Sequence, residues 1–124
     1  MKIQESAEMY LETIFVLRKR IEKVRSIDIA NELQYSKPSV SVAMKNLREN
    51  GYIEIDGEGT ILLTKKGEGI ACSVYDRHTT ISDWLVAIGV NPQTAAEDAC
   101  RIEHVISEES FQKLKEHIAK VNEQ

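Results

Sequence analysis

The sequence predicts a mainly α-helical chain, an N-terminal winged helix-turn-helix followed by a helical second domain. Three observations carry this. Over residues 26–51, two amphipathic segments with helix-start signals are joined by a short polar turn, the pattern of a helix-turn-helix. Two short, partly alternating apolar segments then flank Gly57-Glu58-Gly59, the pattern of a β-hairpin. All later segments repeat their apolar residues at helical spacing.

The first helix is expected from about Ser6 to Ile21, where Ala7, Tyr10, Leu11, Ile14, Leu17 and Ile21 form one apolar face. Beside it runs a strip of Met9, Glu12 and Val16, which by itself reads as a core-edge methionine and a solvated carboxylate. Ser26 is expected to cap a short helix with Ile27, Ile29, Ala30 and Leu33 inside. After the turn at Tyr35-Ser36, Ser36 caps a longer helix with Pro38 in its first turn, Val40, Met44 and Leu47 inward, and Gly51 as its stop.

The outward residues of that helix are Lys37, Ser39, Ser41, Val42, Lys45 and Arg48. Hydroxyls and one apolar side chain at its start, with cations further along, suit a major groove: Ser and Lys reach base edges, Val meets a thymine methyl, and Lys and Arg hold phosphates. Ser36 and Pro38 complete the candidate DNA-facing set on this helix, and Lys65 and Lys66 after the wing are expected on phosphates. The wing itself is Tyr52–Asp56 and Thr60–Thr64 around the glycine turn.

A long helix should run from Lys66 to about Ile88, with Ile70, Val74, Ile81, Trp84, Leu85 and Ile88 inside and Gly89 as its stop. His78 in its middle reads first as a hydrogen-bonded core or interface residue. Next, Asn91 caps and Pro92 opens a helix whose Ala95, Ala99, Ile102 and Ile106 form an apolar face. Cys100, Glu103 and His104 stand on it at i, i+3 and i+4, so a thiol, a carboxylate and an imidazole converge on one patch beside that face. Two readings of the patch stand: a metal site, or a packed cysteine next to a solvated Glu-His pair. Ser107 opens a last helix bearing Phe111, Leu114, Ile118 and Val121, and His117 reads as surface. The division expected is residues 1–70 for the winged helix-turn-helix and 71–124 for the helical domain.

The net charge of −4 argues against a nucleic-acid partner until it is placed along the chain. Residues 1–77 carry 12 Lys/Arg and 12 Asp/Glu, whereas residues 78–124 carry 4 against 8, so the whole imbalance lies in the second half. No apolar run approaches the ~20 residues of a membrane span, and Met1-Lys2-Ile3-Gln4-Glu5 lacks the apolar region of a signal peptide. The expectation is a cytoplasmic protein with no membrane partner. Cys72 and Cys100 are too few and too far apart for a disulfide framework, so both are expected as reduced thiols.

Taken together, Glu8-Met9-Tyr10-Leu11-Glu12, Ser36-Lys37-Pro38-Ser39-Val40-Ser41, Leu63-Thr64-Lys65-Lys66-Gly67, His78 and Glu97-Asp98-Ala99-Cys100-Arg101-Ile102-Glu103-His104 resemble the diphtheria toxin repressor family of metal-dependent transcriptional repressors, which includes the manganese transport regulators. The resemblance spans nearly all of the chain and is to a short form without an SH3-like third domain. It implies a metal cluster with Met9, Glu12, His78, Cys100, Glu103 and His104 as ligands. It also implies a homodimer, held by the helical domain, that binds a palindromic double-stranded DNA operator of metal-uptake genes. The metal then acts as a clamp between the DNA-reading half and the dimer half.

Two departures qualify the resemblance. Met9 and Cys100 are similar to the iron-type branch, whereas Glu12 and His78 are similar to the manganese-type site. Ser82 and Ala96 stand where the iron-type branch has its ancillary ligands, so that ancillary site is not expected. Sulfur donors favour Fe²⁺, Co²⁺, Ni²⁺ and Zn²⁺ over Mn²⁺. Among these ions, availability in a reduced cytoplasm and the iron-type resemblance make Fe²⁺ the expected effector, with Mn²⁺ next. Two other classes compete. A thiol-redox-responsive winged-helix regulator would use Cys72 or Cys100. A small metalloenzyme would use the same donors as a catalytic zinc site, although the sequence has no His-Glu-x-x-His or nucleophile motif.

Overall fold

A computed structural model of the chain describes residues 5–123, so the reading of Met1 to Gln4 as free of a signal sequence lies outside the described residues. The order is α1 (Glu5–Leu17), α2 (Ser26–Leu33), α3 (Lys37–Glu49), β1 (Ile53–Ile55), β2 (Ile61–Leu63), α4 (Lys65–Ala87), α5 (Pro92–Val105) and α6 (Glu108–Asn122). Two compact units divide between Ser73 and Val74. This is the mainly α arrangement expected, with the winged helix-turn-helix first and a helical unit after it.

In the first unit α1, α2 and α3 pack on one another around Leu11, Ile14, Ile29, Val40, Met44 and Ile53, all essentially removed from water. The strands pair antiparallel in the register Ile53↔Leu63, Glu54↔Leu62 and Ile55↔Ile61. Helix α1 ends at Leu17, short of Ile21. At Lys19 and Arg20 the backbone bonds tighten to i→i+3, Lys19 N–H to Val16 O at 3.2 Å and Arg20 N–H to Leu17 O at 2.9 Å. The chain turns there, so Ile21 faces water while Val24 returns to the core, and Ile61 N–H donates to Val24 O at 2.7 Å.

Ser26 is the first residue of α2 rather than its cap. The cap is Arg25, whose backbone N–H donates to the Asp28 carboxylate at 2.9 Å, and this rotation leaves Ile27 exposed rather than inside. Ser36 caps α3 as expected, its hydroxyl accepting from Ser39 N–H at 3.3 Å.

At the hairpin tip the Asp56 carboxylate accepts from the backbone N–H groups of Thr60 and Glu58, each at 2.9 Å. These bonds hold its pKa below the usual carboxylate value. Stability from this turn should therefore be fully present above the ordinary Asp pKa and be lost as pH falls through the lowered one, which hairpin amide exchange against pH would register.

Helix α4 starts one residue earlier than expected, at Lys65. Its Gly67 is buried under the wing: a Cβ there would lie 2.0 Å from the Tyr52 carbonyl oxygen. The helix ends before Gly89, whose φ of 109° is open to glycine, and Ile88 is exposed rather than inside. In the second unit Ile81, Ala99 and Phe111 form the core with Leu85, Ile102, Ile106 and Leu114 around them. Asn91 and Ser107 cap α5 and α6, accepting from Gln93 N–H at 2.9 Å and Ser110 N–H at 3.1 Å.

Candidate metal centre and nucleic-acid interface

Ala95, Ala99 and Glu103 follow one another at i, i+4 and i+8 on α5, and all three are buried. Glu103 therefore lies within the apolar face, not beside it. Its carboxylate is 0% exposed and meets an imidazole at each oxygen: His78 Nδ1 is 2.9 Å from Oε2, and His104 Nε2 is 3.3 Å from Oε1. The Cys100 sulfur, a Glu103 oxygen and a His104 ring nitrogen lie within 4.8 Å of one another. Cys100 is exposed, His104's side chain is nearly buried, and His78's is partly open to water.

A carboxylate taken fully out of water has to be neutralised by a proton, by an imidazolium or by a cation. Thiolate, carboxylate and imidazole on one helical patch form a donor set suited to a first-row transition metal, and the residues present fit such an ion.

Arg77, which the sequence did not single out, fixes the end of α5. Its guanidinium donates to Glu103 O at 3.2 Å, to Ile106 O at 3.1 Å and to the Glu108 carboxylate at 2.7 Å. The turn that carries Glu103 and His104 is thereby tied to α4 and α6. Only its position next to His78 could have drawn attention to it.

The other two nominated donors lie in the first unit. Met9 and Glu12 are half-buried and three residues apart on α1, and Tyr35 Oη donates to Met9 Sδ at 3.8 Å. Within the second unit the structure brings together His78, Cys100, Glu103 and His104.

Helix α3 exposes Lys37, Pro38, Ser39, Ser41, Val42, Lys45 and Arg48, while Val40, Met44 and Leu47 face the core. Ser36, also exposed, donates its hydroxyl hydrogen to Ser39 Oγ at 2.8 Å, so the two hydroxyls at the helix start are held as a pair. The hairpin contributes no cation: Glu54, Asp56 and Glu58 are its charged residues, and Glu58 pairs with Lys23 at 3.0 Å. Lys65 and Lys66 instead lie in the first turn of α4. Lys66 donates to Asn50 O, the C-cap of α3, at 3.2 Å and its ammonium lies 4.3 Å from the centre of the Tyr52 ring.

The two lysines should therefore behave differently. Lys65→Ala should lower the salt slope of DNA binding by about one unit, as for one lost phosphate contact, and Lys66→Ala by less, in binding isotherms over a salt series.

Residues 64–124, which include the second unit, match the metal binding and dimerisation domain of iron-dependent repressors, and residues 2–61 match the N-terminal DNA-binding domain of the same repressors. The chain belongs to the iron-dependent repressor family. Members of this family are metal-dependent transcriptional regulators rather than enzymes, which removes the metalloenzyme alternative.

Among curated relatives, the transcriptional regulator MntR of Escherichia coli O157:H7 is 33% identical over 108 residues, covering 87% of this chain and 70% of that one. The iron-dependent repressor IdeR of Mycobacterium tuberculosis is 32% identical over 114 residues, covering 91% of this chain and 50% of that one. Among solved structures, the manganese regulator SloR superposes with a TM-score of 0.81 at 30% identity, covering 96% of this chain and 55% of that one. The chain thus spans about half the length of IdeR and SloR. The repressor-family helix-turn-helix and dimerisation domain account for the element order seen here, and among the described residues no helix is long and apolar enough to cross a membrane.

Proposed function

We propose that this chain is a cytoplasmic repressor that binds a palindromic operator of metal-uptake genes as a homodimer when a divalent transition metal is bound, Fe²⁺ being preferred and Mn²⁺ next. The observation that carries this reading is the fully buried Glu103 carboxylate set between His78 and His104 with the Cys100 thiol beside it. A bound ion supplies there the positive charge that the buried carboxylate requires. His78, Cys100, Glu103 and His104 hold it from the helical part, spanning residues 71–124, and Met9 and Glu12 from the DNA-binding part, residues 1–70.

The switch follows from that division of donors. Without the ion, Glu12, Glu103 and a Cys100 thiolate repel one another. With it, one spacing of the two DNA-reading helices of the dimer is selected, and half-sites on DNA require a separation of about 34–36 Å or multiples of it. A coupling of about 1–3 kcal/mol changes operator affinity by about 5- to 150-fold. Lys37, Ser39, Ser41 and Val42 face the bases, Ser36 and Pro38 complete the DNA-facing set at the helix start, and Lys45, Arg48, Lys65 and Lys66 face the backbone. The family's dimerisation domain supports a homodimer, as does a groove of about 570 Å³ beside α4 and α6 in which Trp84, Ile88, Ile118 and Val121 stand among Asp83, Lys115 and His117.

The preference for Fe²⁺ rests on Met9 and Cys100, since Mn²⁺ gains little from sulfur. Anaerobic Fe²⁺ or Co²⁺ should activate operator binding at lower free concentration than Mn²⁺. The double change Met9→Asp, Cys100→Glu should narrow or reverse that order. Wild-type protein that responds to Mn²⁺ first would make Glu12 and His78 the better guide and the protein a manganese regulator.

A further inference from the structure

The sulfur of Met9 has a partner in the helix-turn-helix itself. Tyr35 stands in the turn between α2 and α3, after Gln34, whose left-handed φ of 57° ends α2. Its backbone is held by a 3.1 Å bond from its N–H to Ala30 O. Its ring is held edge-to-face against Tyr10, with centroids 6.1 Å apart and planes at 74°. With backbone and ring both fixed, the hydroxyl is presented to Met9 Sδ at 3.8 Å. Met9 is itself anchored on α1, its carbonyl accepting from the Thr13 hydroxyl at 2.8 Å.

We propose that Tyr35 is a selectivity-determining residue: its hydroxyl occupies the Met9 sulfur and so penalises only those ions that use the sulfur as a ligand. The proposal rests on the reading of Met9 as a metal donor. A thioether is a weak hydrogen-bond acceptor. Once a metal draws on a sulfur lone pair, the sulfur carries less electron density and favours the approaching hydroxyl proton less. The bond is then weakened on coordination, because only the second lone pair is left to accept it. Ions that gain from thioether binding incur that weakening, whereas Mn²⁺, which is served by carboxylate and water oxygens, does not. Tyr35 therefore shifts the balance of the site toward manganese, against the pull of its two sulfur ligands.

Co²⁺ and Mn²⁺ affinities, measured anaerobically by calorimetry on the full chain, test this. Tyr35→Phe keeps the ring against Tyr10 and removes only the donor. It should tighten Co²⁺ by about two- to fivefold, the size of a weak hydrogen bond, and leave Mn²⁺ unchanged. Met9→Leu should weaken Co²⁺, and adding Tyr35→Phe to Met9→Leu should change neither ion. A purely structural role for Tyr35 would move both ions together. That result, or an unchanged Co²⁺ affinity in Tyr35→Phe while Met9→Leu weakens Co²⁺, overturns the proposal and leaves the Met9 reading in place. Unchanged Co²⁺ affinity in Met9→Leu overturns both.

Discussion

Glu103→Gln is expected to lower metal affinity by about a hundredfold or more while leaving the metal-free protein at least as stable as wild type. The two effects have opposite origins. Glutamine keeps the shape of the side chain between His78 and His104 and can still hydrogen-bond His78, but it removes the charge that makes the pocket favourable to a cation. For the metal-free fold the same loss relieves a carboxylate that is 0% exposed. Calorimetry with Co²⁺ and urea unfolding in chelator read the two sides separately. Metal affinity within a few-fold of wild type would mean that Glu103 is a structural partner of the two imidazoles and not a ligand.

Gly67→Ala is expected to destabilise the first unit by about 1–3 kcal/mol, because the first turn of α4 presses on the wing with no room for a side chain. The added Cβ would meet the Tyr52 carbonyl oxygen at 2.0 Å, and that carbonyl also accepts from Thr64 N–H at 3.1 Å, so backbone rather than a flexible side chain has to move. Displacement there also moves Lys66, which rests on Asn50 O and on the Tyr52 ring. A lowered urea midpoint together with weaker DNA binding is the expected result. Unchanged stability would show that the wing and α4 separate without cost.

Much of this molecule is legible from local signals. Ser36, Pro38 and the Val40–Met44–Leu47 spacing define α3 because cap chemistry, ring geometry and burial agree there. Asn91 with Pro92, and Ser107, define α5 and α6 for the same reason. Boundaries failed where an apolar period ran on past the structure: Ile21 and Ile88 extend their stripes in sequence, yet both are exposed, beyond the ends of α1 and α4.

Within the candidate site, the spacing of Cys100, Glu103 and His104 is readable. So is the burial of Glu103, which stands four residues after Ala99 and eight after Ala95 on the same buried face. Arg77, Tyr35 and Gly67 are not readable. Each acts through a group distant in sequence, a helix end, a thioether and a carbonyl, and no periodicity encodes such approaches.

The most direct test of the account is an anisotropy titration of a labelled palindromic duplex, selected in vitro against the metal-loaded protein, run with metal and again with chelator. Metal should tighten binding by about 5- to 150-fold in wild type and leave Glu103→Gln unchanged. Equal wild-type affinity in metal and in chelator would contradict the claim that the ion held at Glu103 governs DNA binding.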